Sequence, residues 1–374
     1  MARRMRRSAD IQQKYAQATA SPYRRRRLKE MRGGMDFMEI LALVCKYFCQ
    51  GHTAPEIKEI MHDRHKIDMP REEPYQLVAH AAARGWLRFV APHEYALRER
   101  IKRQCSAWLQ DVDVVHTSVF EDVAMHGAEM LMELVQRHHL PPYSKDVVHI
   151  GFAGGHAMRM TAQAFARILG QTTDNLPKAV VFHALVAGFD VQDPTTDPNA
   201  FFTYFVSDPA IQIHTGFVGL HAPAVVHTRQ FAELQDLDGI RETYASSMDL
   251  DIIVTSGSCW SDPHSMLRKY MSRSEKSFAT LQRAGCIGDM LWRPISADGP
   301  ISDETEIRAM TLLELTDLPK FIQQGKHVLL VLGPCMGCNQ PKTRTLEAVT
   351  TMQPHLITHL VLDSRTARGL FKTE

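Results

Sequence analysis

The chain has 374 residues and 44% hydrophobic content, more than one typical domain holds and enough apolar surface for a well-buried core. No run nears the ~20 uninterrupted apolar residues of a membrane helix, and the Arg-rich start lacks the apolar core of a secretory signal, so a soluble, cytoplasmic protein with no membrane partner is expected. Seven cysteines in so long a chain suggest reduced thiols rather than a disulfide framework. The net charge of +1 hides an asymmetry: Met1 to Arg32 holds eleven Lys or Arg against Asp10 and Glu30, a charge of +9 that leaves −8 for the remainder.

Residues 1–33 therefore read as a basic, disordered tail, a cationic arm able to meet nucleic-acid phosphates without reading sequence, or simply a solvated one. After Gly33-Gly34, Phe37, Ile40, Leu41, Val44 and Phe48 recur at helical spacing, and Gly51 ends that helix. Thr53 and Glu56 have capping-box spacing ahead of a second helix with Ile57, Ile60 and Met61 on its apolar face. A third helix is predicted from about Pro74 to Arg84, and Trp86 to Val90 as the strand of a wing. Residues 34–93 thus read as a winged helix-turn-helix domain. Residues 94–110 form a linker helix, with Leu97, Ile101, Cys105 and Trp108 on one side, available to a partner subunit.

From residue 111 to 374 the pattern is alternating strands and helices. Strands are predicted at Val112 to His116, Val147 to Phe152, Ala179 to Leu185, Val225 to Thr228, Ile252 to Thr255, Val328 to Leu332 and His359 to Leu362. Helices include Glu121 to Arg137 and Met158 to Leu169. Near-continuous apolar strands alternating with amphipathic helices imply an α/β domain with a mainly parallel, Rossmann-like sheet. Ser256, Gly257 and Ser258 follow a buried strand where a parallel sheet opens onto a crevice, and their amides and hydroxyls could hold an anion; a long helical region comes after them.

Several strings in shared order resemble the SorC family of sugar-responsive bacterial transcriptional regulators: DIIVTSGSCWSDPHSMLR at 251–268, LQRAGCIGDM at 281–290 with ADG at 297–299, and ITHLVLDSRTARGLF at 357–371. Weaker likenesses are VVHIGFAGGHAM at 147–158, HAPAVV at 221–226 and GHTAPEIKEIM at 51–61. The resemblance spans roughly residues 36–372. It implies an N-terminal helix-turn-helix and an effector domain with the fold of ribose-phosphate isomerases and glucosamine-phosphate deaminases, which binds a phosphorylated sugar or related metabolite. It also implies a homo-oligomer, dimer or tetramer, that pairs two DNA readers. Carried over residue by residue, the effector site comprises Gly151, Gly154, Gly155 and His156 in a first loop, Gly257, Ser258 and Asp262 in a second, with Lys342, Arg268 and Asp289 as further contacts. His156 can equally be structural, and Asp289 can equally cap a local turn. The residues expected to face DNA are Thr53, Arg71, Tyr75, Gln76 and His80, against which Glu72 and Glu73 would repel phosphates.

The chain departs from the family in three places. Its first loop lacks the threonine common after the glycines, the GPCMGCNQPK loop at 333–342 is longer than the usual glycine turn, and His62 to Met69 lengthens the turn before the third helix. Cys335 and Cys338 form a C-x-x-C that can be a redox pair, half of a zinc site completed by His355 and His359, or two structural thiols. The last is the reading adopted, with no metal or cofactor. Three functions remain open: a ligand-controlled DNA-binding regulator, a sensor that has lost DNA reading and acts through protein contacts, and an enzyme on sugar phosphates. For the enzyme, Asp262, Asp289 and His156 do not assemble an acid/base pair.

Overall fold

The computed structural model describes residues 34–87, 89–188, 193–302 and 305–371; the basic tail at 1–33 lies outside the described residues. The chain divides into two compact units between Phe89 and Val90.

In the first unit, α1 (Phe37–Cys49) is capped by Asp36. Its carboxylate accepts the Glu39 N–H at 2.9 Å, while Glu39 accepts the Asp36 N–H at 2.7 Å. Helix α2 (Ala54–His65) begins after Thr53, whose N–H and hydroxyl both donate to the Glu56 carboxylate. Helix α3 (Glu73–Ala83) tolerates Pro74 because a first-turn residue needs no N–H donor. Ile40, Leu41, Val44, Ile57, Met61, Leu77 and Ala81 meet in one small core, each large side chain contributing about 1.5–3 kcal/mol. The lengthened passage from α2 to α3 is itself packed. Lys66 turns the chain with a left-handed φ of 56°, and Ile67 and Met69 enter the same core. No strand is present at Trp86, Leu87, Phe89 or Val90, the described residues of the expected wing. Instead the N–H groups of Trp86 and Leu87 both return to the Ala81 carbonyl, folding the chain back on α3.

The second unit opens with α4 (Tyr95–Gln104), β1 (Asp111–Val115), α5 (Phe120–His139), β2 (Val147–Phe152), α6 (His156–Gln171) and β3 (Ala179–Ala184). It continues through α7 (Pro198–Val206), β4 (His214–Val218), β5 (Val225–His227), α8 (Phe231–Gln235), α9 (Ile240–Ala245), β6 (Ile252–Thr255) and β7 (Gly257–Cys259). Helices α10 (Met266–Met271) and α11 (Glu275–Arg283) lead to β8 (Gly288–Met290), β9 (Arg293–Ile295) and β10 (Ile307–Ala309). The unit closes with α12 (Leu318–Gln323), β11 (His327–Leu332), α13 (Thr343–Thr351), β12 (His359–Asp363) and α14 (Ser364–Gly369).

A seven-stranded sheet runs in the order β1-β12-β11-β6-β2-β3-β4, parallel throughout. The α/β architecture expected from the sequence is what forms. Every residue of β6, β11 and β12 is buried, as central parallel strands require. From β2 the chain builds outward to β3 and β4; from β6 it builds the other way. The order therefore reverses between β2 and β6, and the loops leaving their carboxyl ends diverge to form a crevice.

Two expectations are corrected. Val225–His227 does not join the large sheet but pairs antiparallel with β10, and the sheet's edge strand is His214–Val218. The single long helical region after Ser258 is two short helices. Ser265 caps the first by accepting from the Arg268 N–H, and Ser274 caps the second by accepting from the Ser277 N–H. Helix α4 belongs to the second unit. Arg98 bonds the Val112 carbonyl at 2.8 Å, and Ile101, Cys105 and Leu109 sink into the unit's own core, while Leu97 and Trp108 pack against it half-buried.

Candidate functional site

The residues carried over from the resemblance divide into three groups once placed on the sheet. Gly151 lies inside β2, facing Leu185, and does not reach the crevice. Gly154 is packed against Val186 and the Thr196–Pro198 turn. Gly155 takes φ 103°, a conformation strained for any side chain, and starts α6; its N–H donates to the Thr196 carbonyl at 2.8 Å and is not open to a ligand. His156 is half-exposed, with Nε2 3.6 Å from an Asp193 carboxylate oxygen.

The second group is drawn together across the carboxyl ends of β6 and β11. Strands β7, β8 and β9 form a small antiparallel sheet that places Ser258 directly opposite Asp289. The Ser258 hydroxyl donates to the Asp289 carboxylate and lies 2.7 Å from Ser265 Oγ. Burial pushes Asp289 up to about 6, against the pull of the Ser258 hydroxyl and the Lys342 charge. Lys342, only 8% exposed, sits at the end of the cysteine loop just before α13. Burial lowers its pKa, opposed chiefly by the Asp289 charge. Its ammonium lies 5.9 Å from the Phe120 ring centroid, and no hydrogen bond or ion pair to it forms among the described residues. A buried cation next to a carboxylate whose ionised form burial disfavours can exchange that carboxylate for an entering anion. Arg268 stands apart. Its guanidinium donates to the Trp260 carbonyl at 3.0 Å and faces Phe278.

The third group is one the sequence did not assemble. Asp262, taken as an effector contact, accepts from the His264 N–H at 2.9 Å and lies 3.1 Å from His264 Nδ1 and 3.6 Å from Cys338 Sγ. His264 Nδ1 is in turn 3.7 Å from Cys335 Sγ. Burial tends to raise Asp262, but the thiol, amide and imidazole around it hold it below the usual carboxylate range. Burial pushes the Cys335 thiol up to about 11, partly offset by the backbone N–H groups of Cys338 and Gly337. His355 and His359 do not join these thiols. His355 stacks on Trp108 at 4.2 Å, and His359 opens β12 at the opposite end of the sheet, bonded to Thr358.

In the first unit, Arg71, Tyr75 and Gln76 are exposed at and just before the start of α3. Thr53 spends its hydroxyl on Glu56. His80 is half-buried between Phe37 and Trp86, at ring separations of 5.6 and 5.7 Å, a packing position.

The full-length sorbitol operon regulator SorC from Klebsiella pneumoniae matches this architecture with a TM-score of 0.56 at 15% identity, over 90% of this chain and 100% of that one. The chain has the SorC fold. The same fold is shared with a transcriptional regulator from Streptococcus pneumoniae TIGR4, with a TM-score of 0.56 and 18% identity over 74% of this chain and 96% of that one. A DeoR family transcriptional regulator from Listeria monocytogenes shares it too, with a TM-score of 0.51 and 18% identity over 74% and 98%. No protein-family model and no curated protein matches the sequence. The SorC-like strings at 251–268 and 281–290 are the segments that build β6, β7, α10, α11 and β8, so the likeness read from residues is realised in the fold. Among the described residues, no helix is long and apolar enough to cross a membrane.

Proposed function

We propose that this chain is a ligand-controlled, DNA-binding transcriptional regulator whose second unit binds a phosphorylated sugar at the carboxyl edge of the large sheet. The observation that carries this reading is the buried ammonium of Lys342, lacking an ion-pair partner and set beside Asp289 and Ser258 next to the switch point. A phosphate gives that charge a partner, while the hydroxyls of Ser258 and the sugar satisfy one another. The match to a sorbitol operon regulator supports the regulatory part of the reading. Arg71, Tyr75 and Gln76 supply the DNA contacts, His80 and Thr53 being engaged within their own unit, and a palindromic operator asks for at least a dimer.

The test is a thermal-shift screen with phosphorylated sugars and their unphosphorylated counterparts. Ligand at 100 times its dissociation constant adds about 2.7 kcal/mol to native stability. Lys342→Ala, and Lys342→Met to keep the packing volume, should both remove the shift while circular dichroism stays native. An equal shift in either folded variant, or the same response to sugars without phosphate, overturns the assignment.

A further inference from the structure

We propose that Cys335, Cys338, His264 and Asp262 form a zinc site that ties the cysteine loop to the turn after β7. One ligand atom from each lies within 4.8 Å of all the others, although they come from segments more than seventy residues apart. The separations resemble the edges of a coordination tetrahedron. Zn–S bonds of about 2.3 Å and Zn–N or Zn–O bonds of about 2.0–2.1 Å place neighbouring donors roughly 3.3–3.7 Å apart. Here the imidazole nitrogen and carboxylate oxygen are 3.1 Å apart, the imidazole and Cys335 sulfur 3.7 Å, and the carboxylate and Cys338 sulfur 3.6 Å.

Two thiols with one nitrogen and one oxygen select a borderline-soft, tetrahedral ion over magnesium or calcium, which take oxygen shells. The surroundings suit a coordinated ion as well. A Cβ on Gly337 would fall 2.6–2.8 Å from the His264 ring, so the Cys-Met-Gly-Cys turn can close over the imidazole only with glycine there. Asn339, at φ 57°, donates its N–H to the Cys335 carbonyl at 2.7 Å and finishes the knuckle. Asp262 and Cys335 are buried while half of the His264 side chain is exposed, which leaves a path for the ion from solvent. On binding, each thiol gives its proton to solvent and its sulfur to zinc.

The site stands independently of the phosphate reading, since neither Lys342 nor Asp289 is a ligand. It bears on that reading through the chain: Lys342 follows Cys338 by four residues, so a filled site fixes the loop that delivers the ammonium.

The full chain, reduced and stripped with chelator, is titrated with zinc against a chromophoric competitor, and separately with cobalt. One equivalent per chain is expected, and cobalt should show the thiolate charge-transfer absorption and tetrahedral visible bands. Cys335→Ser with Cys338→Ser should abolish both signals. His264→Ala, at a half-exposed position where folding is not at stake, should weaken zinc by more than about tenfold. Cys45→Ser with Cys49→Ser should change nothing, since those thiols lie on α1 of the other unit. Failure to take up zinc in reducing buffer, uptake undiminished by the Cys335 and Cys338 changes, or recovery of those two thiols only as a disulfide would each overturn the proposal. Zinc uptake is read without any sugar phosphate present, and the Lys342 substitutions are read on zinc-replete protein, so the two readings fail separately.

Discussion

His327 is buried with neither ring nitrogen hydrogen-bonded, its ring 5.0 Å from His138 and 5.1 Å from His359. Burial, then the two neighbouring imidazoles, push it down to about 3, and burial drives His359 and His183 to about 4. A histidine lowered in this way binds fewer protons folded than unfolded. Its contribution is therefore intact above the unfolded value near 6.5 and is lost as pH falls toward the folded value, at no more than about 1.4 kcal/mol per pH unit for each proton. Asp289 acts in the opposite sense. Raised to about 6, it favours the folded state at low pH and loses that contribution as pH rises through 6. The three histidines outnumber it, so stability should decline from pH 6.5 to pH 4.5. His327→Leu removes one unsatisfied titrating group, so urea unfolding at pH 7 and pH 5 should show a shallower acid decline than the parent. Equal slopes would refute the assignment. Among the residues of the crevice, the sequence order of strand and loop was enough to single out Ser258, while Asp289 and Lys342 came from the resemblance to the SorC family. It could not pair Cys335 and Cys338 with Asp262 and His264. Those four meet only because β6 and β11 are sheet neighbours, which no local pattern records.

The elements of the large sheet were legible where burial is continuous: six of the predicted strands lie within a residue or two of their observed bounds because both faces of a central parallel strand must be apolar. The short antiparallel strands were not. Three residues such as Gly-Asp-Met carry no period, and β7, β8 and β9 exist through pairing with one another rather than through propensity. Their closeness is measurable. A Cβ on Gly288 would lie 2.1 Å from the Ser258 carbonyl oxygen and 2.7 Å from Thr345 Oγ1, and the first of these contacts is with backbone that cannot rotate away. Gly288→Ala should therefore cost about 2–3 kcal/mol by forcing β8 from β7. Because Asp289 follows in the same strand, the variant should also lose its sugar-phosphate shift at a temperature where circular dichroism still reports a folded sheet. A variant as stable as the parent would mean that the small sheet is looser than its geometry states.

At the scale of the whole molecule, the chain joins a small helical unit to a large α/β unit, each with its own hydrophobic core. Helix α4, read from sequence as a connector, buries Ile101 in the larger core, so the second unit holds its own lid over β1 from Val90 onward. A fragment of residues 90–374 should consequently melt in one cooperative transition and keep both the Lys342-dependent shift and the zinc stoichiometry. Promoter DNA offers the complementary measurement. The full chain should retard it with an affinity that falls steeply with salt, as phosphate contacts demand, and the fragment should not. Retention of DNA binding by the fragment would place the nucleic-acid contacts outside α3. Loss of ligand response in a fragment that still folds would show that the metabolite site needs the helical unit. A full chain that binds ligand but no DNA would leave a sensor acting through protein contacts, a reading for which Glu72 and Glu73 at the start of α3 already provide the repulsive charge.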